Sequence, residues 1–354
     1  MRLQRVRVAG FRNLAPATIE VDAPLVAFVG DNGQGKTNWL EAVGVLGTLK
    51  SFRTAKPAET IAWGEARAEV DAVGVSDGMT RTWRWAFADG ARAIRRDDRN
   101  VDAVAWLQSL RATFFVPGDV APVRGEPALR RALLERAVLT VRPGYLADAR
   151  DLRRVLEHKA ALLRAGGDDT QLDVIDEQLV RVSEAVTRAR ADTVACMEGP
   201  FGEHYAAITD GEPAGVRYRP WMKGGADEML AWLRGHRAEE RAAGRVLGGP
   251  QRDDLELTVL GRAARAYASQ GQARSLVLAW KLAELDAARA GDETPLFLLD
   301  DLGSELDPSR TTRLVARVRS LGAQVFVTTT DARLVPEREG ARLFRVARGV
   351  ATPG

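Results

Sequence analysis

The chain has 354 residues, 45% of them hydrophobic and 28% charged, and a formal net charge of +3, enough for one large or two moderate globular domains. No apolar run approaches the roughly 18 residues of a membrane span, and the opening Met-Arg-Leu-Gln-Arg-Val-Arg-Val alternates like a strand where a signal peptide would be apolar, so a cytoplasmic protein without a membrane partner is expected. The single cysteine, Cys196, excludes a disulfide framework and a cysteine-rich zinc site, and His158, His204 and His236 lack metal-ligand spacing, which assigns them to surface or helix positions.

In chain order, Arg2 to Val8 and Thr18 to Val21 read as paired strands, and Leu25 to Val29 as a short buried strand that ends in glycine. The segment Gly30-Asp31-Asn32-Gly33-Gln34-Gly35-Lys36-Thr37 fits G-x-x-x-x-G-K-[ST] in full. Glycines at Gly30, Gly33 and Gly35 let backbone amides converge on phosphate oxygens, and Lys36 reaches the β and γ phosphates. Thr37 offers its hydroxyl to Mg²⁺, and a helix from about Lys36 to Leu46 points its positive end at the anion. ATP with Mg²⁺ is therefore the expected ligand.

Arg67 to Val75 and Thr82 to Phe87 read as further antiparallel strands, with Trp83, Trp85 and Phe87 on one buried face. Only six of the 51 basic residues are lysine; compositional bias is the simpler explanation, and Arg92, Arg95, Arg96, Arg99, Arg130 and Arg131 are kept as candidate contacts to a DNA backbone. After a strand at Ala112 to Val116, the segment from Glu126 to Gly244 is mainly helical. There Ala149, Leu152, Leu156, Ala160 and Leu163 keep helical spacing, and Leu172, Ile175, Leu179, Val182 and Val186 repeat it after a turn at Ala165 to Asp169. Two readings fit: a short antiparallel arm of about 30 Å, or two amphipathic helices packed on a globular subdomain.

Strand pattern returns near Leu255 to Leu260, followed by Ser269-Gln270-Gly271-Gln272 at the start of an apolar helix. Leu296 to Leu299 is a buried strand ending in Asp300 and Asp301; a carboxylate there suits a Mg²⁺ shared with Thr37, and its neighbour Asp301 suits orientation of an attacking water. Pro308 starts a helix, and Ala323 to Thr328 is a further buried strand with Thr329, Thr330 and Asp331 at its carboxyl end. The phosphate loop and its carboxylate thus come from opposite ends of the chain. This order describes an α/β P-loop ATPase head of the ABC/SMC type, formed by 1–125 and 245–354, with a helical insertion at 126–244. Ser269 to Gln272 looks like a second anion site in a chain that already has one, which is resolved if a second copy supplies it in trans across a homodimer. Ser304-Glu305-Leu306-Asp307 then falls where the two heads touch.

Gly249-Pro250-Gln251-Arg252-Asp253-Asp254-Leu255, Ala268 to Gln272 and Leu299 through Asp307 closely resemble the RecF family of bacterial recombination mediators, related to SMC heads. Gly10-Phe11-Arg12-Asn13, Lys50-Ser51-Phe52-Arg53-Thr54 and Arg130-Arg131 are similar to it as well, so the resemblance spans essentially the whole chain. It implies a weak, DNA-stimulated ATPase that dimerises with ATP on gapped DNA or single-strand/duplex junctions and works with RecR and RecO to load RecA in repair, fork maintenance and the SOS response. By position it implies that Arg12 contacts the nucleotide, Ser269 and Gln272 the γ phosphate in trans, and Thr329 or Thr330 the switch. The chain departs from the family pattern at Gln251, Gly303, Trp280 and Gly118, which leaves Asp119 as a weak candidate for the loop linking insertion and nucleotide. Two alternatives are an ATP-gated binding protein with negligible turnover and the ATPase subunit of an ABC transporter.

Overall fold

Residues 1–289, 293–302, 308–335 and 340–354 are described by a computed structural model of the chain. β1 (Arg2–Ala9) pairs antiparallel with β2 (Ala17–Glu20), and β3 (Leu25–Val29) leads through the glycine loop into α1 (Lys36–Thr48). β4 (Arg67–Ser76), β5 (Met79–Ala88), β6 (Ala91–Arg96) and β7 (Arg99–Asn100) extend the first sheet in the order β2-β1-β4-β5-β6-β7. Along β5, Trp83, Trp85 and Phe87 are buried while Arg84 faces outward, the period of two that the sequence predicts.

α2 (Ala103–Ser109) precedes β8 (Ala112–Phe115), and α3 (Ala121–Arg124) and α4 (Pro127–Val141) lead into the insertion. There α5 (Tyr145–Ala165) and α6 (Asp169–Thr209) form the predicted hairpin, turned by Gly166 in the left-handed region and restarted by an Asp168–Gln171 capping box. At 1.5 Å per residue α5 is about 31 Å long and α6 about 60 Å. The root of α6 lies in the main core, where Val194, Met197, Phe201, Tyr205 and Ile208 are buried with Leu276 and Leu282. β9 (Ala214–Arg219), α7 (Ala226–Gly235) and α8 (Arg237–Ala243) complete the insertion. The packed-subdomain reading therefore describes it better than a free arm.

The buried stripe of α5 is Leu152, Val155, Lys159 and Leu163, one residue off the expected Leu156 and Ala160. The cause is Lys159, whose ammonium lies 2.6 Å from Asp176 and 2.5 Å from Glu240, all three side chains 1% exposed. These groups meet off hydrogen-bond alignment, and Arg237 adds a bond to Asp176 at 3.0 Å. Lys159→Ala leaves two buried carboxylates undercompensated and is expected to destabilise the protein by about 3–5 kcal/mol in urea titrations; a shift under about 1 kcal/mol would mean the charges are solvated.

β10 (Asp254–Val259) pairs with β9 and with β11 (Arg262–Ala263), so a three-stranded sheet straddles the boundary expected at 244 and 245. After α9 (Ala264–Tyr267) and α10 (Gln270–Ala288) come β12 (Leu296–Leu299), α11 (Pro308–Ser320), β13 (Val325–Thr329), β14 (Arg342–Ala347) and β15 (Val350–Pro353). The central sheet runs β15-β14-β3-β13-β12-β8, parallel except for β15. Its inner strands are continuous apolar runs because both faces are covered. Val26, Phe28, Leu296 and Leu298 face α1, while Leu25, Ala27, Phe297 and Leu299 face the core that holds α10.

Gln324 joins the two large sheets: its amide accepts from Leu3 N at 2.7 Å and donates to Leu3 O, Val21 O and Ala23 O at 2.8, 2.8 and 3.1 Å. Among the described residues no helix is long and apolar enough to cross a membrane.

Candidate functional site

The phosphate loop sits at the carboxyl end of β3, where Gly33 (φ 78°) and Gly35 (φ 107°) take left-handed conformations that favour glycine. Gly30 meets a second demand, because a Cβ there would lie 2.3 Å from the Val346 carbonyl. Asp31, Asn32 and Gly33 are exposed at the crest. Gln34 anchors the loop to the β14–β15 turn, accepting from Gly349 N and, through Oε1, from Arg348 N, both at 2.8 Å. That turn also abuts Asn13, whose carbonyl would be 2.0 Å from a Cβ on Gly349.

Lys36 is 8% exposed and its ammonium donates to Gly30 O and Asp31 O, both at 2.8 Å. Burial lowers its pKa, and Asp301, Asp300 and Asp31 oppose that shift. One residue on, Thr37 Oγ1 donates to Asp300 Oδ1 at 2.9 Å, across a sequence separation of 263 residues. Thr328 Oγ1 donates to the same oxygen at 2.6 Å. Burial pushes the Asp300 carboxyl above the usual carboxylate range, the two threonine bonds pull it down, and Asp301 adds to the push. A buried carboxylate beside a hydroxyl at a phosphate loop fits a hard divalent cation that takes few protein ligands and fills its other positions with phosphate and water. Asp301 turns aside in the left-handed region at φ 59°, with its amide donating to Thr328 Oγ1 at 2.7 Å.

Arg12 approaches from the β1–β2 loop, itself left-handed at φ 54°. Its guanidinium is held by Glu41, Nε to Oε2 at 3.0 Å and Nη2 to Oε1 at 2.7 Å, with Nη1 on Glu59 O at 2.6 Å. Glu41 is fully buried on α1 and also accepts from Ser51 at 2.6 Å and Arg53 at 3.5 Å. The segments Gly10–Asn13 and Lys50–Thr54 thus converge on one carboxylate. Sequence reasoning missed Glu41, Thr328 and the Arg348–Gly349 turn; the only signal for Glu41 is an acidic residue on the apolar face of the helix after the loop.

Ser269 is exposed and caps α10: its Oγ accepts from Gln272 N at 3.1 Å, and Gln272 Oε1 accepts from Ser269 N at 2.9 Å. Gln270 is exposed and Gly271 half-buried at the same helix start. Thr329 is buried at the end of β13, its hydroxyl bonded to Asp331 N at 3.2 Å, and Thr330 is exposed. Ser304 and Asp307, with Gly303, lie outside the described residues. Gln251 donates to Gly248 O at 2.7 Å, and Trp280 is fully buried in the middle of α10. Asp119 bridges β8 to α4, accepting from Val116 N at 3.3 Å and Arg136 at 2.9 Å.

One expectation is corrected. Arg130 is 5% exposed and paired to Asp254 at 2.7 and 2.8 Å, so it is internal and leaves the set of DNA candidates, while Arg131 is half-buried and donates to Asp253 O at 3.0 Å. Arg96 and Arg92 are partly spent on Ala105 O at 2.9 Å and Leu49 O at 2.7 Å, and Arg95 donates to Asn100 at 3.0 Å; Arg92, Arg95 and Arg99 are exposed. His204, expected at a surface or helix position, is on α6, where it is fully buried: Arg317 Nε donates to its Nδ1 at 2.9 Å, so its Nε2–H donates to Asp286 at 2.6 Å. Burial lowers its pKa against the pull of Asp286.

A phosphate loop, a buried strand-end carboxylate on its threonine, an antiparallel lobe and a helical insertion define a P-loop ATPase head of the ABC/SMC type. The chain matches the family described as RecF/RecN/SMC N terminal domain over residues 2–351. It is 37% identical over 366 residues to the DNA replication and repair protein RecF of Geobacter metallireducens, covering 100% of both chains. To that of Myxococcus xanthus it is 37% identical over 357 residues, covering 95% of this chain and 92% of the relative. The chain belongs to the RecF family. In fold it is similar to the recombination mediator protein RecF-ATP in the RecFOR pathway, with a TM-score of 0.88 at 24% identity over 99% of this chain and 97% of that one. An Smc head bound to the C-winged helix domain of ScpA aligns at a TM-score of 0.59 and 16% identity over 99% and 96%.

Proposed function

We propose that this chain binds ATP and Mg²⁺ between its two terminal segments and uses them to join two copies on DNA, with hydrolysis releasing the pair. The observation that carries this reading is the 2.9 Å bond between Thr37 and Asp300, which brings the phosphate loop and the strand-end carboxylate to one point. Gly30, Asp31, Asn32, Gly33, Gln34 and Gly35 present loop amides to phosphate, and Lys36 exchanges its two carbonyl partners for β and γ oxygens. Thr37 and Asp300 hold Mg²⁺, which when bound neutralises charge on the phosphates. Asp301 orients the attacking water and Arg12 borders the nucleotide. Ser269, Gln270, Gly271 and Gln272, the signature, meet the γ phosphate of the other copy, with Ser304 and Asp307 between the heads and Thr329 or Thr330 as the switch.

The relatives' description as DNA replication and repair proteins supports DNA as the partner and a role in repair. From the family likeness we extend this to gapped or junction DNA, to RecR, RecO and RecA, to the SOS response and to a cytoplasmic location. Residues 1–125 and 245–354 serve as the head, 126–244 as the insertion. Membership of the RecF family sets the transporter reading aside.

Sedimentation with ATP, ADP and gapped DNA tests the core of this. Ser269→Arg places a bulky cation at the exposed start of α10 and is expected to raise the ATP-dependent dimer dissociation constant by about 100-fold, roughly 2.8 kcal/mol, while the monomer binds nucleotide normally. An arginine variant that pairs like the wild type would remove the signature from the interface.

A further inference from the structure

Glu212 lies in the turn that leaves α6, just after Asp210 (φ 64°) and Gly211 (φ 97°) reverse the chain. Its Oε2 accepts from Gln272 Nε2 at 3.1 Å and from Tyr205 OH at 3.2 Å. The other end of the Gln272 amide is bonded to Ser269 N. The carbonyl end of that side chain is therefore held by Ser269, and one of its two Nε2–H donors by the insertion. α11 closes the node from a third side: Arg313 reaches Asp210 at 3.0 Å, and Arg310 Nη1 lies 3.1 Å from where a Cβ on Gly271 would be. One layer deeper the same three helices meet again through His204, Asp286 and Arg317.

We propose that Glu212 is a positioning residue that ties the Gln272 amide to the helical insertion and so opposes nucleotide-dependent pairing of two copies until the amide is released. The inference rests on the reading above, in which the start of α10 receives the partner copy's γ phosphate. An Nε2–H donated to a carboxylate is not available to a phosphate oxygen, and a fixed carboxylate beside that position repels the incoming anion. Because Glu212 belongs to the exit turn of α6, a shift of the insertion, such as one caused by a bound partner, moves the carboxylate and frees the amide. The insertion thereby acquires a direct hold on the signature.

Glu212→Gln keeps an acceptor for both Tyr205 and Gln272 while removing the charge. In sedimentation of the full chain with ATP and Mg²⁺, this variant is expected to pair at about tenfold lower protein concentration than the wild type, the size of one screened like-charge contact at a half-buried site. The gain shrinks as salt is raised. Without nucleotide, and for nucleotide binding by the monomer, it should match the wild type. Glu212→Ala, checked by thermal melting, is expected to pair more readily as well. Pairing of a normally melting Glu212→Gln at unchanged or higher concentration overturns the proposal, as does loss of pairing in both variants, which would make Glu212 a support for the signature. If Ser269→Arg blocks pairing but Glu212→Gln leaves it unchanged, only this inference fails. If the wild type does not pair with ATP, or Ser269→Arg pairs normally, the reading beneath it fails too.

Discussion

Lys36→Ala is expected to lower ATP affinity by about 100-fold, roughly 2.8 kcal/mol, and to abolish ATP-dependent pairing. The ammonium is held inside the loop by the loop's own backbone, 2.8 Å from both Gly30 O and Asp31 O. Those carbonyls hold it where the β and γ oxygens arrive, and charge-assisted bonds of this kind contribute about 1.5–3 kcal/mol each. Lys36→Arg should fail almost as badly, since a planar fork does not fit a space shaped for a compact ammonium. Calorimetric titration with ATP checks the affinity and sedimentation the pairing. An alanine variant binding within about threefold of wild type, under roughly 0.7 kcal/mol, would show that the loop does not use its lysine on phosphate.

The second large effect has opposite signs in turnover and stability. Asp300→Asn keeps an oxygen to accept from Thr37 and Thr328 but removes the negative charge that a cation needs, so turnover should fall by about 100-fold or more, and the ATP-bound dimer should persist longer. The nucleotide-free protein, by contrast, should melt at a higher temperature at neutral pH. Asp300 is 9% exposed, and burial disfavours its charged form. A neutral amide with the same bonds is spared that cost. Loss of activity joined to a gain in stability marks a carboxylate kept for chemistry at the expense of folding energy. Unchanged turnover in a stabler variant would assign Asp300 to structure alone. Should the wild type itself turn over negligibly with and without DNA, the ATP-gated, non-hydrolysing alternative takes over.

The phosphate loop was legible because its requirements are local. Three glycines, one lysine and one threonine carry the geometry within eight consecutive positions, between an apolar strand and a helix. Trp83, Trp85 and Phe87 were legible for a similar reason, since a period of two needs only the strand's own residues. Charged groups were harder. Arg130 reads as a candidate DNA contact and Lys159 and Glu41 as ordinary polar positions, yet each is buried against a partner on another element, Asp254, Asp176 with Glu240, and Arg12 respectively. Their burial depends on partners that spacing along one helix does not reveal.

β1 to β5, β8, β10, β12 and β13, the glycine loop and the order of the chain's parts came from residue pattern alone, since backbone propensity and amphipathic period act over a few neighbouring residues, whereas β6, β7, β9, β11, β14 and β15 did not stand out in the sequence. Tertiary structure alone decided that Gln324 welds the two large sheets, that Glu41 gathers Arg12, Ser51 and Arg53, and that Glu212 reaches Gln272. Each of those choices satisfies a polar group by a partner far along the chain or on another element, and burial makes such a partner necessary without saying where in the sequence it will come from.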